Sequence, residues 1–366
     1  MDTGAINSDS YKKRYKEGII KSRKAIVFIG IALVVALIVS IIVAINLGPV
    51  SITVKEVVEI LSYNIFGIGN SSTIGASTYN DIVWKIRFPR VLLAICVGAV
   101  LSVVGAVMQA MVQNPLAEPY ILGISSGASL GATAAIMLGL GAMLGTNSIG
   151  IFAFMGAFIC SIAVYSLANM GGKSTSIKLL MSGMVISAIC SAFSSFIIFI
   201  SNDAEGMRSL TFWTMGSLAG ASWNNIGVPM IVTFLGVIFF IFQFRNLNVM
   251  LLGDENAITL GIDLHKHRKL YMIITSFMTG IIVYASGTIG FVGLIIPHIV
   301  RMIVGSDHKR LIPISAIVGG IFLIWTDAIA RSVMNVEIPI GVITSMLGAP
   351  FFMWLMIKKS YGFGGK

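Results

Sequence analysis

Charged side chains are scarce in this chain. They make up 11% of its 366 residues, against about 25% in soluble globular proteins. A molecule wetted on all sides needs more, so a soluble enzyme, a disordered tail and a fibre are excluded. Acidic residues are fewest, 15 against 25 Lys and Arg, for a net charge of +10. Cysteine is limited to Cys96, Cys160 and Cys190, each inside an apolar run. An odd number of embedded thiols argues against a disulfide framework and reads as small packing residues. The four histidines (His265, His267, His298 and His308) fall in or beside basic segments and read as solvated loop charge. No HExxH, CxxC pair or carboxylate cluster occurs, so no catalytic or metal centre is expected. A cleavable leader is not expected either: residues 1–24 are polar and basic, and the apolar run after them is too long for a signal core.

What is abundant is apolar surface. Hydrophobic residues make up 56% of the chain and mean hydropathy is +0.93. Such a composition belongs to a polytopic membrane protein, and a span needs roughly 20 apolar residues. Ten stretches qualify: 25–45, 91–113, 119–139, 149–169, 178–200, 226–244, 270–286, 288–304, 311–331 and 339–357. The pair at 270–304 is one apolar run that Gly287, Gly290 and Pro297 are expected to break. Shorter pieces near 52–68 and 209–221 read as interfacial or re-entrant segments outside the main bundle.

Ten spans place both termini on one side. With the N-terminus in the cytoplasm, inside segments carry seven Lys/Arg at 12–24, two at 173–178, four at 245–269, three at 301–310 and three at 358–366. Only Lys55, Lys85, Arg87, Arg90, Arg208 and Arg331 fall outside. That bias supports this orientation, because Lys and Arg resist translocation. It also removes nucleic acid as a partner, since the basic residues scatter over five loops. Membrane lipid is the solvent instead.

Glycine is frequent, at 39 residues. Gly123, Gly127 and Gly131 recur every four residues on the third span, a spacing that lets helix backbones approach closely. Gly287, Gly290 and Gly293 recur every three. Packing is the plainer reading; a passage of changing width is the sharper one.

Two features invite over-reading. Gly172, Lys173 and Ser174 copy the end of a phosphate-binding loop, but position 167 is Leu where that loop needs Gly, and the preceding segment is a span. Asp327 is the one acid well inside a span. A carboxylate there suggests a proton relay. Arg331, one turn on, offers simple neutralisation, which is the reading taken.

Two segments are more specific. The first opens with Arg87, Phe88, Pro89 and Arg90 at the outer mouth, where Pro89 is expected to stop the helix and leave two cations exposed. It continues through GAVMQ and the inner turn NPLAEP. The second contains GFVGLIIPHIVR. These motifs, in this order and separation, resemble the FecCD-type permease family of binding-protein-dependent ABC importers for iron complexes and cobalamin. The resemblance runs from about residue 25 to 358.

The resemblance implies an all-α fold of ten transmembrane helices, the type II ABC importer permease fold. It divides the chain into a basic cytoplasmic extension (1–24), a single permease domain (25–358) and a cytoplasmic tail (359–366), in the cytoplasmic membrane. It implies a second permease subunit, identical or homologous, two ATPase subunits and an extracytoplasmic substrate-binding protein. The chain itself would be non-catalytic and hold no cofactor, ATP and Mg belonging to the partner ATPase. The cargo would be an iron complex, a ferric siderophore first, haem or cobalamin next. The rival is an ion-coupled secondary transporter, for which Asp327 alone qualifies as a mid-membrane ligand.

Site residues carry over by position. Arg87, Arg90 and Arg331 would meet glutamates of the binding protein. The coupling loop, about 245–269, would form two short helices seated on the ATPase, with Leu252, Gly253, Asp254, Glu255, Ala257, Leu260 and Gly261 at its core. The inner gate would fall at Ser174, Thr175 and Ser176, hydroxyl residues that also suit a helix N-cap. Met181, Met184 and Ser187 would line the path beyond it.

Overall fold

A computed structural model of the chain describes residues 22–48, 50–68, 75, 77–118, 120, 123–140, 147–170, 175–334 and 336–358. Most of the basic extension and the whole C-terminal tail, like Ser174 and the phosphate-loop look-alike, lie outside the described residues. Every described element is helical. In chain order they are α1 Arg23–Asn46, α2 Val54–Phe66, α3 Thr78–Met111, α4 Ile124–Met137, α5 Ser148–Asn169, α6 Ser176–Ser201 and α7 Ala204–Met215. There follow α8 Trp223–Phe242, α9 Phe244–Met250, α10 Asp254–Thr259, α11 Leu264–Ser286, α12 Val292–Val304, α13 His308–Ser332 and α14 Ile340–Lys358.

Among the described residues, seven helices are long and apolar enough to cross a membrane: α1, α3, α5, α6, α8, α11 and α13. The shorter apolar helices α4, α12 and α14 occupy the other three expected stretches. The two interrupted pieces form α2 and α7. Thr53 and Glu56 start α2 with a reciprocal capping box, which satisfies amides that have no intrahelical partner.

The axis of the bundle is α3, which packs against α8, α11, α12 and α13. From Val91 to Met111 it is buried almost without interruption, so its sequence reads apolar on every face. Backbone proximity explains its glycines. A methyl group on Gly98 would collide with the Gly319 carbonyl of α13, and one on Gly105 with the Gly293 carbonyl of α12. Gly127 and Gly131 of α4 face the α5 backbone in the same way, and α4 and α5 share a second core with Ala128, Ala132, Ala153 and Ala157. In lipid, where apolar surface gains little by leaving its solvent, such close packing holds helices together.

Two proline expectations change. The helix continues outward past Pro89, as a π-helical stretch over Asp81–Arg87. Its wider turn, with the Phe88 N–H bonded to the Val83 carbonyl, accommodates the ring and missing donor of proline. Pro297 does not break the 270–304 run; it lies inside α12. The break is the segment 287–291, which neighbours satisfy. The Ile289 N–H donates to the Tyr120 hydroxyl at 3.2 Å, the Phe291 N–H donates to the Glu118 carboxylate, and the Thr288 hydroxyl donates to the Thr214 carbonyl at 2.6 Å. Irregular backbone inside a membrane protein survives only with such partners.

The histidines also differ from expectation. His298 and His308 are buried, and the His308 ring lies 2.8 Å from the Asn248 amide oxygen. Cys160 and Cys190 bring α5 and α6 together, with sulfurs 3.2 Å apart.

Candidate coupling, gate and docking sites

Helix α3 runs between the candidate docking cluster at one end and the candidate coupling segment at the other. Phe88–Met111 alone is 24 residues, so the two are separated by roughly 36 Å of helix.

At the docking end, Arg87, Arg90 and Arg331 converge, but not as exposed cations. Arg87 and Arg90 are 4% and 8% exposed, and the Arg331 side chain 8%. Arg87 donates to the carbonyls of Ile45 (2.7 Å), Asn46 (3.0 Å) and Val50 (2.6 Å). Arg331 donates to those of Ala44 (2.5 Å) and Leu47 (3.0 Å). The physical reason is the end of α1. Its last carbonyls lack intrahelical donors and carry the negative end of the helix dipole, so two guanidiniums cap it. Arg90 forks between two carboxylates, Nε to Asp327 at 2.8 Å and the terminal nitrogens to Glu337 at 3.1 and 2.5 Å. Asp327, 1% exposed, also lies 3.3 Å from Arg331 Nε. The one-turn pair forms, and Arg90 is the closer partner. Glu337, with a side chain 35% exposed, is the one member of this cluster that reaches solvent.

At the coupling end the loop folds into α9 and α10. Gly253, at φ +103°, turns the chain between them. Asp254 and Glu255 occupy the first turn of α10, where negative charge suits the helix dipole. Ala257 is fully buried, Leu252 is half-buried, and Ile258 and Leu260 stand out at 60% and 61% exposure. Gly261, at φ +82°, ends the element. Asp263 then caps α11 by accepting the Lys266 N–H at 3.2 Å, a bond that holds its carboxyl below the usual carboxylate range.

The start of α6 lies beside this loop. The Thr175 hydroxyl accepts the Lys178 N–H at 3.3 Å as an N-cap, so the plainer reading of that hydroxyl is realised. A cleft of about 330 Å³ opens between Thr175–Ile177 and Leu252–Asn256. Two of its lining residues, Ser176 and Asp254, bond to a residue that the sequence did not single out. Arg268 of α11 is 2% exposed. It grips both oxygens of Asp254, at 2.7 and 3.0 Å. The same guanidinium donates to the Ser176 hydroxyl at 2.9 Å and the Met111 carbonyl at 3.3 Å. Gln113 donates to Asp254 at 2.5 Å. The sequence does not mark it out, because Arg268 stands in a basic run with Lys266 and Lys269 at the start of α11.

Beyond its first turn, α6 is little covered. Met181 and Met184 are exposed; Ser187 is half-buried beside Gly123. Farther along, Ser191, Ser194 and Ser195 of α6 face Ser125, Ser126 and Ser129 of α4 across a recess of about 360 Å³. All six lining residues are serines, and the Ser194 hydroxyl is buried without a partner among the described residues.

Comparison with known proteins adds four observations. Residues 36–358 match the FecCD transport family. The chain is 40% identical over 279 residues to the cobalamin import system permease of Halobacterium salinarum, covering 76% of this chain and 74% of that one. It is 37% identical over 294 residues to the hemin transport system permease of Yersinia pestis, covering 78% and 87%. A solved structure described as an inward-facing metal-chelate type ABC transporter superposes with a TM-score of 0.78 at 29% identity, over 90% of this chain and 99% of that one.

Proposed function

The chain belongs to the FecCD transport family as a non-catalytic, multi-pass permease subunit of an ABC importer, and from that premise we propose that it carries a ferric siderophore into the cytoplasm. The importer's relatives include permeases named for cobalamin and hemin. The observation that favours a siderophore is the serine recess between α4 and α6. Each hydroxyl there both donates and accepts, and no charged side chain lines the recess. Such a wall suits a compact, oxygen-rich, hydrogen-bonding chelate better than the flat apolar face of haem.

Transport proceeds by alternating access. ATP binding and hydrolysis on the separate subunit shift the coupling loop, docked through Ile258 and Leu260 around the core Leu252, Gly253, Asp254, Glu255, Ala257 and Gly261. The shift reaches the gate at Ser174, Thr175 and Ser176. Cargo then passes Met181, Met184 and Ser187, where polarizable methionine side chains adapt to a large ligand. A second permease subunit, identical or homologous, supplies the facing wall. Both termini lie in the cytoplasm.

At the opposite end the substrate-binding protein docks over Arg87, Arg90 and Arg331. Arg87 and Arg331 shape the mouth by holding the end of α1. Arg90 engages the partner directly when a partner carboxylate takes the place of Glu337. Ion-coupled transport finds no support in Asp327, which two guanidiniums already neutralise.

The test is uptake by proteoliposomes holding the assembled importer and its binding protein. Radioiron ferrichrome, radioiron haemin and labelled cobalamin are offered in turn. Ferrichrome uptake that falls several-fold when Ser191, Ser194 and Ser195 become alanine supports the reading. Preferential uptake of haemin or cobalamin, unaffected by those changes, rejects it.

A further inference from the structure

We infer that Arg268 is the positioning residue that makes the coupling helix and the gate helix move as one. The inference rests on the permease reading above, and concerns how that machine transmits force rather than what it carries.

The coupling helix α10 and the start of α6 are 78 residues apart in sequence, counting from Ser176 to Asp254, and a cleft separates much of their surfaces. An open cleft transmits neither push nor pull. Something must bridge it, and the bridge must be stiff enough that displacement of α10 is not lost as local bending. Arg268 has the required shape. Its guanidinium is planar, permanently charged and carries five donors in a fixed fork. The fork takes Asp254 with two parallel bonds, a geometry that fixes orientation as well as distance. The Nη2 that holds one Asp254 oxygen also reaches Ser176 Oγ and the Met111 carbonyl, which share its second N–H.

One side chain on α11 therefore ties together the first residue of α10, the first residue of α6 and the last residue of α3. Burial strengthens the tie, because water cannot compete for its donors. Each partner is also at a helix end. Asp254 and Ser176 open their helices and Met111 closes its own. A force applied at a helix end moves the whole rod, whereas one applied in mid-helix has to bend it.

The separation of labels measures this without any cargo. The permease is assembled with its ATPase in lipid nanodiscs. Nitroxide labels are placed at Ile177→Cys on α6 and Leu138→Cys at the far end of α4. Both positions are exposed, and the three native thiols are buried. The distance between labels is read with and without ATP plus vanadate, alongside ATP hydrolysis. In the otherwise unaltered protein the distance shifts on nucleotide trapping.

With Arg268→Lys the two-nitrogen grip on Asp254 is lost, and the shift is expected to fall at least about fivefold while hydrolysis stays within about twofold. Ser176→Ala removes one half-buried hydroxyl at the helix start, and is expected to cut the shift about twofold. Ser176→Thr, which keeps the hydroxyl, restores it. A purely structural role for Arg268 would instead lower hydrolysis and the shift together. The inference is overturned if there is no shift in the unaltered protein. It is also overturned if Ser176→Ala retains the full shift, or if Ser176→Thr behaves like the alanine variant. Failure of the cargo assignment would leave all of these readings intact.

Discussion

Arg90 and Asp327 are 237 positions apart in the chain and meet at 2.8 Å, both buried, where α3 and α13 come together. The pair joins the start of the apolar part of α3 to the last turns of α13, the two helices that pack along Gly98 and Gly319. Its Glu337 arm ties in the segment ahead of α14. One guanidinium thus joins the ends of three elements. Removing it leaves Asp327 with the Arg331 contact alone. Arg90→Ala is expected to destabilise the protein by about 3–5 kcal/mol, the range for breaking a buried ion pair. Thermal unfolding in detergent checks this; a midpoint unchanged from the parent would contradict it.

Glu337 gives the docking proposal a sign. It is the exposed competitor for Arg90, so Glu337→Gln weakens its hold and frees the fork for a partner carboxylate. Binding-protein affinity is expected to rise by up to about fivefold at low salt, the scale of one exposed ion pair, with a steeper salt dependence. Surface plasmon resonance against the immobilised permease complex reads both. Weaker binding would mean that Glu337, rather than Arg90, faces the partner.

Ile258, on the short helix α10, and Leu260, just past its end, are large exposed apolar side chains. If the ATPase covers them, Ile258→Asp with Leu260→Asp abolishes co-purification of the ATPase. The stability of the permease itself changes by about 0.5 kcal/mol or less, as at other surface positions. Loss of both fold and association would point to a packing role instead.

The α3–α12 contact is set by absent side chains. Gly105→Ala drives a methyl group into the Gly293 carbonyl, and backbone rather than a flexible side chain has to yield. Destabilisation of about 1–3 kcal/mol is expected, as for other overpacked cores. Alanine at Gly220, where nothing lies close, is the matched control.

Asp263 carries a pH signature. Its carboxylate caps α11, and its pKa lies below the ordinary value because it accepts the Lys266 N–H. A depressed pKa means the cap contributes fully above the unfolded carboxylate value and is lost as pH falls through the lower folded value. The acid limb of the stability profile should therefore be shallower in Asp263→Asn than in the parent. An identical acid limb in the two proteins would remove the cap from that account.

Much of the bundle was legible because membrane spans are written locally, as apolar length. All ten stretches correspond to apolar helices, and the small-residue spacing on α4 marks a real close approach. What was not legible depends on groups distant in the chain. Arg87 looks like an exposed cation until its acceptors are found at Ile45 and Asn46, 42 and 41 positions earlier. Pro89 and Pro297 look like breaks because the π turn and the α12 surroundings that accommodate them are not encoded in the proline. The candidate coupling loop and gate could each be singled out by position, yet the side chain that contacts both could not. Arg268 lies 157 positions from Met111 and 92 from Ser176.

The most direct measurement of the central claim is uptake of radioiron ferrichrome by proteoliposomes containing the permease, its ATPase and its binding protein, with the proton gradient collapsed by an uncoupler. Uptake that persists, requires ATP on the ATPase side and ceases when the ATPase is omitted is the expected result. Uptake that stops with the uncoupler, or continues without any ATPase, would contradict it.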